Sequence, residues 1–255
     1  MNQDDFIIQD LTASLDKNNF YLEYQPQFNS KSEFIGIESL SRWVNSEGNV
    51  VRPDIFIPLL EKNNLIYDFG LKVAEKAFHF SHTMEKKLNL DFKKMAINIS
   101  PLQLTSTNFI GDIEDRRKHF LLDKRKITLE ITESERISSF GLECISELND
   151  MGYSISLDDF GTGYASFQCL LNMPKGLNNL KLDRSFVTNI HKNINQQTIV
   201  TAIIKMCTSF NIPVIAEGVE SIDEINFLTA NGCDHFQGFY FSKPLNEENM
   251  IKIAG

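Results

Sequence analysis

Ser154-Ile155-Ser156-Leu157-Asp158-Asp159-Phe160-Gly161 is a short β-forming run that ends in two adjacent carboxylates and a glycine. Seven further apolar or β-branched runs lie on either side of it, at residues 20–28, 34–40, 94–99, 127–131, 180–182, 214–216 and 236–241. Helical patterns fill most of the gaps. Ile199, Ile203, Met206 and Phe210 give one apolar face to a helix expected over 196–210 and ended by Asn211 and Pro213. Ser221, with Glu224 three residues on, starts another that stops at Asn231-Gly232. Residues 53–64 and 67–88 form a helical pair between the second and third runs.

Eight strand candidates interleaved with helices predict a parallel α/β sheet, either closed as a (β/α)8 barrel or open and doubly wound. The polar turn at 29–33 has no room for a helix, so the first strand runs antiparallel to the second. The positions of the polar residues favour closure. The expected fold is therefore α/β, an irregular (β/α)8 TIM-like barrel with an antiparallel first strand.

That placement is the informative feature. The second run passes through Glu38 to Arg42, and the third ends in Asn98-Ile99-Ser100. The fourth ends in Glu130-Ile131-Thr132-Glu133 and the fifth in Asp158-Asp159. The sixth carries Lys181 and Asp183, the seventh Glu217, the eighth Gln237-Gly238. In a barrel, side chains at the carboxyl ends of the strands converge on one mouth, where barrel enzymes place their chemistry. Two carboxylates about 4 Å apart repel by roughly 4 kcal/mol at an effective dielectric near 20, so five in one pocket need protons or metal. An all-oxygen set without cysteine or histidine selects hard cations such as Mg2+ or Mn2+ over zinc. Asp158 and Asp159, helped by neighbouring strands, suit a clamp for two ions of the kind used in phosphodiester displacement.

Taken singly, these residues have ordinary explanations. A lone acid after a strand is usually a helix cap or a solvated charge, and a lone lysine there neutralises an acidic neighbour. Five strand ends together do not reduce to that. His79 and His82 stand three apart on a helix with nothing to join them and read as surface histidines. Gly161-Thr162-Gly163 lacks the Lys-Ser/Thr that a phosphate loop requires.

With 255 residues, and no repeat, low-complexity tract or Gly/Ser/Pro linker, the chain reads as one domain over 1–255. A net charge of −9 argues against a broad DNA, RNA or anionic-membrane footprint. It leaves room for one phosphorylated ligand where metal ions reverse the local field. Cys144, Cys169, Cys207 and Cys233 form no C-x-x-C pair and are expected as free thiols in a reducing compartment. The acidic start Met1-Asn2-Gln3-Asp4-Asp5 does not resemble a signal peptide, and no apolar run approaches membrane-spanning length. A cytoplasmic location is expected.

In order along the chain, the segments resemble the EAL-domain phosphodiesterases of cyclic di-GMP. They are Tyr24-Gln25-Pro26, Glu38-Ser39-Leu40-Ser41-Arg42-Trp43, Phe56-Ile57-Pro58-Leu59, Asn98-Ile99-Ser100-Pro101-Leu102-Gln103 and Leu129-Glu130-Ile131-Thr132-Glu133-Ser134. Asp158-Asp159-Phe160-Gly161-Thr162-Gly163-Tyr164, Leu180-Lys181-Leu182-Asp183-Arg184-Ser185-Phe186, Ala216-Glu217-Gly218-Val219-Glu220, Gln237-Gly238 and Phe241-Ser242-Lys243-Pro244 complete the series. The resemblance implies an irregular barrel that binds two Mg2+ or Mn2+ ions and hydrolyses cyclic di-GMP to linear pGpG. It assigns Glu38, Asn98, Glu130 and Asp158 to one ion, and Asp158, Asp159 and Glu217 to the other. Lys181 would contact or deprotonate the attacking water, Gln237 would position it, and Arg42 and Gln25 would grip phosphate and guanine. Glu133 would anchor the Asp158–Tyr164 loop, which in the family touches a dimer interface, so a homodimer is expected.

The sequence departs from the pattern at four places. Ser39 replaces alanine, Asn45-Ser46 stands where His-Pro is usual, and Lys62 where a second acid is common. The stretch Pro174-Lys175-Gly176-Leu177-Asn178-Asn179-Leu180 is two residues longer than usual, which bears on the register of Lys181. Two other classes compete. One is a catalytically inert cyclic di-GMP receptor or protein-interaction module of the same fold, which would typically lack metal ligands or the Asp-Asp pair. The other is an enolase-type Mg2+ barrel, which carries a capping domain for which this chain has no residues left.

Overall fold

The computed structural model describes residues 3–17, 19–90, 93–132, 137–161, 170–171 and 176–255. Its strands are β1 (Phe20–Asn29), β2 (Phe34–Val44), β3 (Val50–Val51), β4 (Met95–Ile99), β5 (Ile127–Thr132), β6 (Ser154–Phe160), β7 (Leu177–Leu182), β8 (Val214–Ala216) and β9 (His235–Phe236). The sheet order is β1-β9-β8-β7-β6-β5-β4-β2-β3, and β1 also pairs with β2, so eight strands close a ring with β3 appended to β2. β1 is antiparallel to both its neighbours, whereas the other ring pairs are parallel. The irregular α/β barrel expected from the sequence is the one observed.

Period-two alternation separates two environments along each strand. Ile97, Ile99, Leu129, Ile131 and Ile155 are buried in a core shared with the helices α1 (Gln3–Lys17), α2 (Pro53–Lys62), α3 (Ile66–His82), α4 (Phe109–His119) and α5 (Ser139–Met151). Leu157, Leu180, Leu182, Val214 and Ala216 enter a second core with the helices Ile194–Ser209 and Ile222–Ala230. The residues between them turn into the lumen, which is polar: Asn98 pairs with Glu130, and Glu130 with Ser156, in the parallel ladders. The apolar driving force thus lies outside the ring, and the lumen is left to hydrogen bonds and charge.

Local chemistry sets the ends of the elements. Ser221 and Glu224 form the capping box that starts Ile222–Ala230, as their spacing predicts. The helix expected over 196–210 begins slightly earlier, at Ile194, because the Asn193 side chain accepts from the amides of Asn195 and Gln196. Asn45 organises the turn into β3: its Oδ1 accepts from the amides of Glu47 and Asn49, 3.1 and 2.8 Å away.

Two differences from the sequence reading have physical causes. The run expected over 236–241 is a strand only at His235–Phe236. Beyond it the backbone curls into a turn, with the amides of Phe241 and Ser242 both donating to the Gly238 carbonyl, while Tyr240 N donates to Val219 O. The extra length before Lys181 is partly taken up in a bulge. Ile155 pairs with Leu177 and Ser156 with Asn179, so Asn178 is passed over. Its Oδ1 accepts the Ile155 amide at 2.8 Å; Leu157 then pairs with Leu180, and a second irregularity sets Phe160 against Leu182. Pro174 and Lys175 lie outside the described residues.

Cys144, Cys207 and Cys233 are buried free thiols, and Cys169 lies outside the described residues. Among the described residues no helix is long and apolar enough to cross a membrane.

Gly238 packs against backbone, since a Cβ there would lie closer than 3.0 Å to Val219 main-chain atoms. Gly238→Ala should therefore cost about 1–3 kcal/mol of stability. A urea midpoint unchanged from wild type would contradict that packing.

Candidate active site

Lys181 is the hub of the lumen. Its side chain is 1% exposed, and Nζ lies 2.8 Å from Glu130, 2.8 Å from Glu217, 3.1 Å from Asp158 and 3.2 Å from Glu38. These acids come from β2, β5, β6 and the end of β8, so the parallel ladders bring residues far apart in sequence to one level. Burial disfavours the ammonium, but the four carboxylates outweigh it and raise the Lys181 pKa well above the ordinary value. Lys181 is a cation here.

The acids do not share that cation equally. Burial works against the Glu38 anion, yet Lys181 and the amides of Gln237 and Asn98 overcome it, and its pKa falls. Burial raises Glu130 and Glu217 well above the usual carboxylate range, with help from neighbouring anions, and raises Asp158 as well. Asp159 is pushed up to about 6 by burial and then by Asp158.

Adjacent residues on a strand point to opposite faces, so Asp158 and Asp159 could not normally serve one site. Asp159 has φ +54°, a left-handed conformation uncommon outside glycine. That twist breaks the alternation, and both carboxylates belong to one acidic group with Glu217.

The site fits divalent cations. Ligand atoms of Glu38, Glu130 and Asp158 lie within 4.8 Å of one another, as do those of Asp158, Asp159 and Glu217. Every donor in these groups is a carboxylate oxygen, the set that hard cations prefer. Glu130 Oε1 is buried without a hydrogen-bond partner. A buried acceptor left unpaired is costly, and a cation would satisfy it. Asn98 is beside this group, donating from Nδ2 to Glu38 Oε1 at 2.8 Å.

A cavity of about 600 Å³ opens beside the acids, lined by Arg42, Asn98, Asp158 and Asp159 at one end and by residues of α2 and α3 at the other. Arg42 does not hang free at its wall: Nε donates to Glu23 at 2.8 Å and Nη1 to the Ser41 carbonyl at 3.0 Å. Gln25 is not among the lining residues. Its Nε2 donates to Ser242 O at 3.1 Å, and its Oε1 accepts from Gln237 at 3.2 Å. Gln237 also donates to Glu38 Oε2 at 2.6 Å, which puts it against a carboxylate of the cluster. Glu133, and Thr162 to Tyr164 of the expected loop, lie outside the described residues. His79 is exposed, and His82 Nδ1 is 2.8 Å from the Phe120 carbonyl, both away from the cluster.

Sequence reasoning missed Glu23, Glu61 and Gln27. Glu61 accepts from Ser100 Oγ at 2.7 Å on the cavity wall. Gln27 donates to Gln237 Oε1 at 2.8 Å. The available signal for Gln27 was its spacing of two from Gln25, which puts both on the inward face of β1.

Removing the hub should expose the charge imbalance. Lys181→Met is expected to lose about 3–5 kcal/mol of stability in metal-free buffer, as when one partner of a buried pair is deleted. Glu130, Glu217 and Asp159 have folded-state pKa values above their ordinary ones, so their protonation adds stability at low pH that is lost as pH rises, for Asp159 through about 6. The variant should therefore be less stable at about pH 8 than at about pH 5, and the reverse order in thermal melts would contradict this. The same protons must leave when a cation binds. Mn2+ binding near pH 5 should release about one proton or more, read from calorimetry in buffers of different ionisation enthalpy. Binding without proton release would show that the raised acids are not ligands.

The EAL domain family model matches residues 8–244. The signaling protein YkoW of Bacillus subtilis is 35% identical over 243 residues, covering 94% of this chain and 30% of the relative. The bifunctional diguanylate cyclase/cyclic di-GMP phosphodiesterase MucR of Pseudomonas aeruginosa is 32% identical over 248 residues, 96% of this chain and 36% of that protein. The chain thus spans about a third of the length of these curated relatives. Among solved structures, the PaMucR phosphodiesterase in complex with c-di-GMP is 32% identical with a TM-score of 0.87, covering 96% of this chain and 99% of that one. An EAL enzyme with cAMP and cyclic di-GMP bound is also 32% identical, with a TM-score of 0.92, covering 99% of this chain and 69% of that one. A match running from residue 8 to residue 244 takes in every strand of the barrel and every acid of its lumen cluster, and this chain belongs to the EAL domain family.

Proposed function

We propose that this chain hydrolyses cyclic di-GMP to linear pGpG at a centre for two Mg2+ or Mn2+ ions. The observation that carries the reading is Asp158, which belongs to both acidic groups and would contribute to holding each ion. Glu38, Asn98, Glu130 and Asp158 would hold one ion, and Asp158, Asp159 and Glu217 the other. When bound, the ions supply Lewis acidity, which makes water a nucleophile near neutral pH and offsets charge on the phosphoryl oxygens.

The chain's own residues do the rest. In the reaction the oxygen of water bonds to phosphorus, the P–O3′ bond breaks, and the leaving 3′ oxygen takes a proton. Lys181, at the centre of the acids, would contact the attacking water or help to deprotonate it. Gln237, held between Glu38 and the Gln25 and Gln27 amides, orients water at the cluster. Arg42, tethered through Nε to Glu23, presents its guanidinium to a phosphate in the cavity with little orientational freedom left to lose. Gln25 acts on the guanine side through this same amide group, and Glu133 steadies the Asp158–Tyr164 loop. A homodimer and a cytoplasmic location complete the proposal.

Cyclic di-GMP with each metal in turn tests it. Mg2+ coordinates octahedrally at about 2.0–2.1 Å and Ca2+ more loosely at about 2.3–2.6 Å, and an error of about 1 Å at the reacting atoms costs roughly 10²-fold. Calorimetry should show binding with Mg2+, Mn2+ or Ca2+, and chromatography should show pGpG with the first two only. Glu38→Gln should lower turnover by about 10²-fold or more. Binding without cleavage in all three ions would move the chain to the receptor class, and full turnover by Glu38→Gln would remove Glu38 from the centre.

A further inference from the structure

Gln27 sits on β1 two residues beyond Gln25, on the same inward face, and is 6% exposed. It does not line the cavity that holds Arg42 and Asp159. It lines a separate cavity of about 180 Å³ at the other end of the lumen, with Thr128, Asn179 and His235. Its side chain reaches upward, Nε2 donating to Gln237 Oε1 at 2.8 Å.

That bond orients Gln237. With Oε1 engaged below, the Gln237 amide turns Nε2 towards Glu38 Oε2, 2.6 Å away, and Gln25 Oε1, 3.2 Å away. In the flipped orientation an amide oxygen would face the Glu38 carboxylate, acceptor against acceptor. Glu38 then has one amide donor on each oxygen, Asn98 on Oε1 and Gln237 on Oε2. The two amide donors, one on each oxygen, fix the carboxylate plane, while Lys181 Nζ approaches Oε2 at 3.2 Å. The backbone makes room for the device: Gly36 pairs with Gln27 across the β1–β2 ladder, and a Cβ there would come within 3.0 Å of Gln27 Oε1.

We propose that Gln27 is a positioning residue for the metal centre, setting the Gln237 amide and through it the orientation in which Glu38 meets a divalent cation. This rests on the two-cation reading above. Groups behind the metal ligands commonly govern affinity by about 10- to 100-fold through ligand orientation.

A double-mutant cycle on the full chain tests it, read by Mn2+ calorimetry, with metal-free thermal melts of each variant. Gln27→Leu should weaken Mn2+ binding about 10-fold or more. In a Gln237→Leu background the same change should alter affinity by less than about twofold, because the intermediary is gone. Should Gln27→Leu fail to fold, Gln27→Met, which keeps length without the donor, takes its place. An equal loss in both backgrounds, or no loss in wild type, overturns the relay. A loss that merely follows the fall in melting temperature also overturns it, assigning Gln27 a packing role. If wild type binds no Mn2+, the metal-centre reading fails and this inference falls with it; if wild type binds and the cycle is additive, only the inference fails.

Discussion

An ammonium buried among four carboxylates is the constraint on which the rest of this structure depends. Lys181 is 1% exposed and within 3.2 Å of Glu38, Glu130, Asp158 and Glu217. One positive charge cannot neutralise five acids once Asp159 is included, and desolvation makes each surplus anion costly. Some of the acids respond with raised pKa values, and Glu130 keeps an unpaired oxygen. Such a cluster is poor as a stability device. Its all-carboxylate donor set fits divalent cations.

The barrel allows this because its stability comes from elsewhere. Isoleucine, leucine and phenylalanine on the outer faces of the strands bury against the helices in two cores, so the lumen is free to be polar. Parallel register then does the assembling. A one-residue slip in any strand would turn its acid outward into the apolar layer, so the apolar pattern that fixes the register fixes the site as well. The bulge at Asn178 matters for the same reason, since it absorbs extra length before Lys181 and lets the lysine face inward. At Asp159 a left-handed residue breaks the alternation and brings a second consecutive acid to the cluster.

Much of this was legible in the sequence. Apolar runs ending in Glu130, Asp158-Asp159, Lys181 and Glu217 announce both the barrel and the mouth, because strand period and strand-end placement are local properties. The antiparallel first strand followed from a turn too short for a helix, and Ser221 with Glu224 announced a helix start. What remained hidden depends on contacts across the fold. The Glu23–Arg42 tether looks like any charged pair until β1 and β2 are paired. The Gln27–Gln237–Glu38 chain joins residues about two hundred positions apart. The last run reads as a strand through Phe241, but Gly238 lies so close to the Val219 backbone that turn hydrogen bonds replace the ladder.

The central claim is that the lumen acids form one centre for two cations bridged by Asp158. Anomalous diffraction from crystals grown with Mn2+ tests it most directly, because it locates the ions without reference to activity. Two peaks should appear, one bounded by Glu38, Asn98, Glu130 and Asp158 and the other by Asp158, Asp159 and Glu217. Strong peaks elsewhere with none in the lumen, or a Lys181 ammonium still holding all four carboxylates at saturating Mn2+, would contradict the account.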